Sequence, residues 1–128
     1  MLRRFEFYNP NPVNPTAGDC VIRAICKATG EDWKTVYAKL SVEGMSKGEW
    51  ANDNEVWDGY LLSLGYTRQS IPNTCPNCYT IAQFADDNPT GCYIVATGSH
   101  VATIIDSVLY DSYDSSKKVP LYYYTKEQ

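Results

Sequence analysis

Gly91-Cys92-Tyr93-Ile94-Val95-Ala96-Thr97-Gly98-Ser99-His100-Val101-Ala102-Thr103-Ile104-Ile105-Asp106-Ser107-Val108-Leu109-Tyr110-Asp111 is the stretch whose reading decides the fold. Three short runs rich in β-branched and aromatic residues are parted by Thr-Gly-Ser and Asp-Ser, so the spacing predicts strands over 91–96, 100–105 and 108–111. With Asp106-Ser107 as a two-residue hairpin turn, Ile105 pairs with Val108 and, counting outward, Ala102 pairs with Asp111. Partners across a hairpin project to one face, and residues two apart on a strand share a face. Asp111 is then diagonal to His100 on one side of the sheet. Asp114 falls on the opposite face in this register, which makes it the fallback. Asp106 shares the face of His100 but lies too far along, at the turn.

Outward from this block, Leu121 to Tyr124 reads as a closing strand, and the chain before it is mostly helical. A helix is expected from Asp19 to Gly30, with Val21, Ala24, Ile25 and Ala28 on one stripe and Asp19 as its cap. A second follows Asp32 and carries Trp33, Val36, Tyr37 and Leu40; the stretch from Ser41 to Trp50 then reads as loop. A third runs from about Asn52 to Gly65, a short strand covers 66–70, and a short helix spans 80 to about 86. Phe5 to Tyr8 suits an opening strand, whereas the prolines of 9–18 exclude helix there. Helices first and an antiparallel sheet afterwards is an α+β pattern. The expectation is one domain over 1–128: an extended lead-in (1–18), a helical part (19–65), a loop and short helix (66–90) and a sheet (91–124).

The 128 residues suit one core, and 44% hydrophobic with 20% charged residues is the balance of a globular chain. The net charge of −4 argues against non-specific nucleic-acid binding, which needs clustered Lys and Arg; here Arg3, Arg4, Lys117 and Lys118 are the only short basic pairs. No apolar run follows the basic N-terminus as a signal peptide requires, and none is long enough to span a bilayer. A cytoplasmic chain without a membrane partner is expected. Its five cysteines are therefore read as free thiols first, metal ligands second and disulfides last.

A cysteine nucleophile needs a lowered thiol pKa, a neighbouring base and a group that orients the base. Cys20 stands in the first turn of the predicted helix, where free backbone N–H groups and the helix dipole favour a thiolate. Small residues, Thr16-Ala17-Gly18, precede it and leave room for a substrate carbonyl. His100, the single histidine, opens a strand just after Gly98-Ser99, where its ring can face a cleft. Asp111 is placed to hold the imidazole tautomer.

The pieces Asn14-Pro15-Thr16-Ala17-Gly18-Asp19-Cys20-Val21-Ile22-Arg23-Ala24-Ile25 and Gly98-Ser99-His100 through Asp111 carry a family likeness. Cysteine on a helix start, Gly-x-His opening a strand, then Asp on the partner strand resembles papain-like peptidases. Their compact bacterial and phage branch, including bacteriocin-processing double-glycine peptidases, is the most similar. The resemblance implies a papain-like fold with N-terminal helices packed on a C-terminal antiparallel sheet. It also implies a Cys20–His100–Asp111 triad and a thiol-dependent peptidase, isopeptidase or amidase acting on a peptide or protein substrate without metal or organic cofactor. Such enzymes place an amide side chain six residues before the nucleophile to form the oxyanion hole; Asn14 stands there, in place of the usual Gln. Val21 replaces the usual small or aromatic residue after the nucleophile.

Two other readings compete with the hydrolase. The same fold can serve as an inert binding module, such as a phage- or mobile-element-encoded inhibitor of a host protein; an unreactive Cys20 or a cleft plugged by Trp50 favours it. A zinc-stapled domain would use Cys75-Pro76-Asn77-Cys78, half of a zinc knuckle, but no second such motif exists, so a stabilising turn is the default. Cys26 and Cys92 read as core, and Arg23 as a surface residue or a binder of substrate carboxylate. Specificity is expected in the 42–52 and 70–78 loops.

Overall fold

A computed structural model describes residues 4–127; Arg3 and the rest of the extreme N-terminus read above lie outside them. In chain order the elements are β1 (Arg4–Phe7), α1 (Cys20–Thr29), α2 (Trp33–Lys47), α3 (Asn54–Ser63), β2 (Thr67–Ser70), α4 (Ile81–Asp87), β3 (Cys92–Ala96), β4 (Val101–Ile105), β5 (Val108–Asp111) and β6 (Tyr122–Thr125). The chain is α+β, and among the described residues six strands form one sheet in the order β1-β5-β4-β3-β6-β2.

The three strands of the deciding block are the sheet's centre. Asp106 and Ser107 both have positive φ, 49° and 71°, the backbone of a tight two-residue hairpin turn. The register is the expected one, with Ile105 opposite Val108, Ile104 opposite Leu109 and Thr103 opposite Tyr110. β3 pairs antiparallel with β4 on one side and with β6 on the other.

One feature corrects the sequence reading and a second adds to it. The sheet is mixed, because β1 pairs parallel with β5. A hairpin forces neighbouring strands to run antiparallel, but β1 and β5 are joined only through most of the chain, so no local rule sets their direction. The helices also lie on both faces. On one, Ile25, Leu40, Trp57 and Leu61 of α1–α3 pack on Ile94, Ala96, Val101 and Tyr124. On the other, Ile81, Phe84 and Ala85 of α4 pack on Val95, Ala102, Ile104 and Leu109. Coverage on both faces explains why β3 and β4 read as continuous apolar runs with no polar alternation. Each side chain brought to zero exposure, such as Leu61, Ile94 and Ile104, contributes roughly 1.5–3 kcal/mol of transfer free energy.

The helix ends follow local chemistry. Asp53 caps α3 by accepting from the Glu55 N–H at 2.9 Å, and Thr80 with Gln83 forms a capping box on α4. α2 continues to Lys47 where a loop was expected. Gly44 invited that error, but its bareness serves packing: a Cβ there would meet the Glu49 carbonyl oxygen at 2.7 Å. The helix stops instead at Gly48, whose φ of 70° a residue with a side chain adopts poorly. Among the described residues, no helix is long and apolar enough to cross a membrane.

Cys75 and Cys78 are joined as a disulfide, against the expectation of reduced thiols. The three-residue spacing in a tight turn brings their Cα atoms to 4.1 Å, which an argument from compartment does not see. Asn73 accepts from the Cys75 N–H, and the Thr74 hydroxyl bonds to the Asn77 carbonyl, so polar side chains brace the turn.

Candidate active site

The hairpin brings His100 and Asp111 together. Continuing the β4–β5 register pairs Ala102 with Asp111, and alternation puts Asp111 on the α4 side with Leu109, Ala102 and Ile104. His100 immediately precedes β4, tethered by the Thr97 N–H bonding its carbonyl at 2.8 Å. His100 Nε2 lies 2.6 Å from Asp111 Oδ2. Both side chains are buried, His100 at 8% and Asp111 at 5% exposure.

Asp111 is held from two further directions. Its Oδ1 accepts from the Ser112 N–H at 2.7 Å, and its Oδ2 accepts from the Ser115 hydroxyl at 2.6 Å. The loop bearing Ser115 is pinned on the start of α4, where the free N–H groups of Ile81 and Ala82 donate to the carbonyls of Lys118 and Ser116. Tyr113 covers the His100 ring at a centroid distance of 5.0 Å. Ser115 and Tyr113 were not singled out from the sequence: nothing in a Ser-rich turn says which hydroxyl folds back. The fallback Asp114 turns to the Ser116 N–H and is not the partner of the His100 ring.

Cys20 opens α1, half-buried, with its thiol beside the His100 ring. Burial pushes the Cys20 thiol up. Hydrogen bonds from the His100 ring and the Val101 backbone N–H, with the charges of His100 and Arg23, outweigh it and leave the thiol below its ordinary pKa. Burial likewise pushes His100 down, but the hydrogen bonds and negative charge of Asp111 and Cys20 raise it from 6.5 to about 9. Each partner stabilises the charged form of the other, so the pair is biased toward thiolate and imidazolium. Cys26, by contrast, is buried in the core, with its thiol pushed up to about 12 by burial and nearby carboxylates. Cys92, expected in the core, is only half-buried.

Asp19 holds the N-cap position of α1 without making a side-chain cap bond. Its carboxylate ties three elements instead. It accepts from Trp33 Nε1 at 2.6 Å and Asn11 Nδ2 at 3.0 Å, and it faces Arg23 Nε at 3.2 Å. Arg23 is therefore a buried, paired cation beside Cys20, which corrects its reading as a surface or substrate-binding residue.

The pair faces an open cleft of about 780 Å³. Asn14 lines it, with its Oδ1 occupied by the Thr16 N–H and hydroxyl. Trp50 stands at its edge 81% exposed and does not plug it. The 50–54 segment lines the cleft, but so do Trp33 and Tyr37 of α2, while the 70–78 loop does not. Specificity expected in that second loop has no basis there. Among the described residues, no cluster of three or more His, Cys, Asp and Glu side chains could hold a metal ion.

No protein-family model, curated protein or solved structure matches the chain.

Proposed function

We propose that this protein is a thiol-dependent hydrolase of papain-like arrangement, cleaving a peptide, isopeptide or related amide bond. One observation carries the reading: a single line of contacts runs from the lowered Cys20 thiol through the His100 ring to buried Asp111, and it opens on a cleft wide enough for a peptide. A surface histidine or a core cysteine needs no such sequence of partners.

In this reading the Cys20 thiolate attacks the substrate carbonyl carbon and its electron pair moves to oxygen. The Cys20 backbone N–H, free at the start of α1, and Asn14 Nδ2 receive that oxyanion. Asn14 suits the task because Thr16 engages its oxygen end and leaves the NH₂ end for a ligand. The C–N bond breaks as the imidazolium of His100 gives its proton to the leaving amine. Water then loses a proton to neutral His100 and attacks the thioester. Collapse releases the acid and restores thiolate and imidazolium. Asp111, anchored by Ser112 and Ser115, keeps the second ring nitrogen protonated and the imidazole correctly turned.

The test is alkylation by iodoacetamide at pH 6–7 together with hydrolysis of a peptide library. Wild-type protein should be alkylated first at Cys20, Cys20→Ala should lose both label and hydrolysis, and His100→Ala should lose hydrolysis while alkylating slowly. Hydrolysis that survives both substitutions overturns the proposal.

A further inference from the structure

The walls of the cleft carry chemistry that the triad does not use. Trp33 and Tyr37, one turn apart on α2, pack with ring centroids 5.1 Å apart at a tilt of 32°, and the Trp33 indole is locked by its bond to Asp19. Trp57 stacks on Tyr122 with an interplanar angle of 16°, and its indole N–H is fixed on Asn54 Oδ1 at 3.0 Å. Two aromatic pairs, their indole N–H groups already bonded, thus line one cavity. At the rim Val13, Tyr37 and Trp50 remain largely exposed, the last two at 51% and 81%, so apolar surface stays in water without a partner in the fold. The cleft's one acidic residue, Asp19, bonds Trp33 and Asn11 through Oδ2 and faces Arg23 as an ion pair through Oδ1, and among the described residues no Lys or Arg lines the cavity.

The approach to the sulfur differs in kind. Gly18 and Gly98 stand two residues before Cys20 and His100, and both line the cleft. Neither has positive φ; a Cβ on Gly18 meets nothing within 4 Å, and one on Gly98 meets only the Leu121 side chain at 4.0 Å. Neither backbone geometry nor packing asks for glycine at these positions. What the missing side chains leave is free passage beside the reacting pair.

We infer that the acyl group delivered to Cys20 is a peptide segment with a bulky uncharged side chain, aromatic or branched aliphatic, held between the Trp33–Tyr37 and Trp57–Tyr122 pairs under Trp50, while its main chain passes over Gly18 and Gly98. The inference rests on the hydrolase reading for the bond attacked, but the binding preference does not require turnover. A charged side chain loses hydration between the aromatic pairs, while the cleft's own charges already pair as Cys20 with His100 and Asp19 with Arg23; an aromatic one gains stacking and apolar burial.

The experiment separates the two. Full-length Cys20→Ala protein is titrated calorimetrically with N-acetyl tripeptide amides ending in Phe, Leu, Asp or Lys. The corresponding coumarinyl amides are assayed on the native enzyme. The Phe and Leu peptides should bind at least about tenfold tighter than the Asp and Lys peptides. Trp50→Ala and Tyr37→Ala should each remove most of that preference, and Gly98→Val should raise KM for every peptide. Iodoacetamide alkylation of Cys20 reports whether the reacting pair is intact in each variant. Discrimination in binding without turnover supports this inference and removes the hydrolase reading. Turnover with no preference between Phe and Asp peptides, or no binding of any peptide, overturns the inference.

Discussion

Replacing Asp111 with Asn tests the electrostatics of the site most directly. The substitution keeps the shape and removes the charge that sits 2.6 Å from His100 Nε2. An amide cannot satisfy both sides of this carboxylate. If its oxygen faces His100, its NH₂ meets the Ser112 N–H across the 2.7 Å contact, donor against donor. If its NH₂ faces His100, Nε2 must accept, the ring carries its proton on Nδ1, and that nitrogen can no longer act as the base for Cys20. The electrostatic cost can be scaled from His100, which Asp111 and Cys20 together raise from 6.5 to about 9 against its burial. At pH 8 a ring with pKa about 9 is about 90% charged and one at 6.5 about 3%, so losing the whole rise would cost roughly thirtyfold in imidazolium, and Asp111→Asn, which leaves the Cys20 share in place, costs up to that. With the tautomer reversed as well, hydrolysis should fall by about 10²–10⁴-fold. Because His100 is the only histidine in the chain, one imidazole NMR resonance reports its titration without ambiguity. The wild-type midpoint should lie about 9, and in Asp111→Asn it should move down toward or below the ordinary histidine value. Hydrolysis in the wild type should fall as pH rises through that midpoint, because the leaving amine then lacks its proton donor. A wild-type midpoint near 6.5, or one that the substitution leaves unmoved, refutes the reasoning.

Three further outcomes follow from the same geometry. Ser115→Ala removes a 2.6 Å hydrogen bond from Asp111 Oδ2; kcat should fall by about three- to thirtyfold with KM little changed, and an equal fall in Ser112→Ala, whose backbone donor survives, would argue against a specific role for the hydroxyl. Phe84→Ala should lower unfolding free energy by about 3–5 kcal/mol in urea titration, since Phe84 is the ring that seats α4 against Tyr93 and Tyr123. Thiol titration of the denatured, unreduced protein should count three groups, Cys20, Cys26 and Cys92; five would reverse the disulfide assignment.

The sequence by itself determined what depends on near neighbours. The hairpin register was legible because Asp106-Ser107 dictates a two-residue turn and strand alternation does the rest, and that register carried His100 to Asp111. The start of α1 at Cys20 was legible from the prolines before it and the apolar stripe after it. Tertiary structure alone decided what depends on distant partners. The parallel pairing of β1 with β5, the passage of α4 to the far face and the length of α2 beyond Gly44 each turn on contacts with segments remote in sequence. The same holds for the inner supports of the site. Asp19 looked like a cap because caps are local, yet its carboxylate found Trp33, Arg23 and Asn11. Ser115 became a support of Asp111 only when α4 drew its loop inward. Local dihedral preferences and periodicity are written residue by residue; which buried polar group finds which partner is settled only when the layers close.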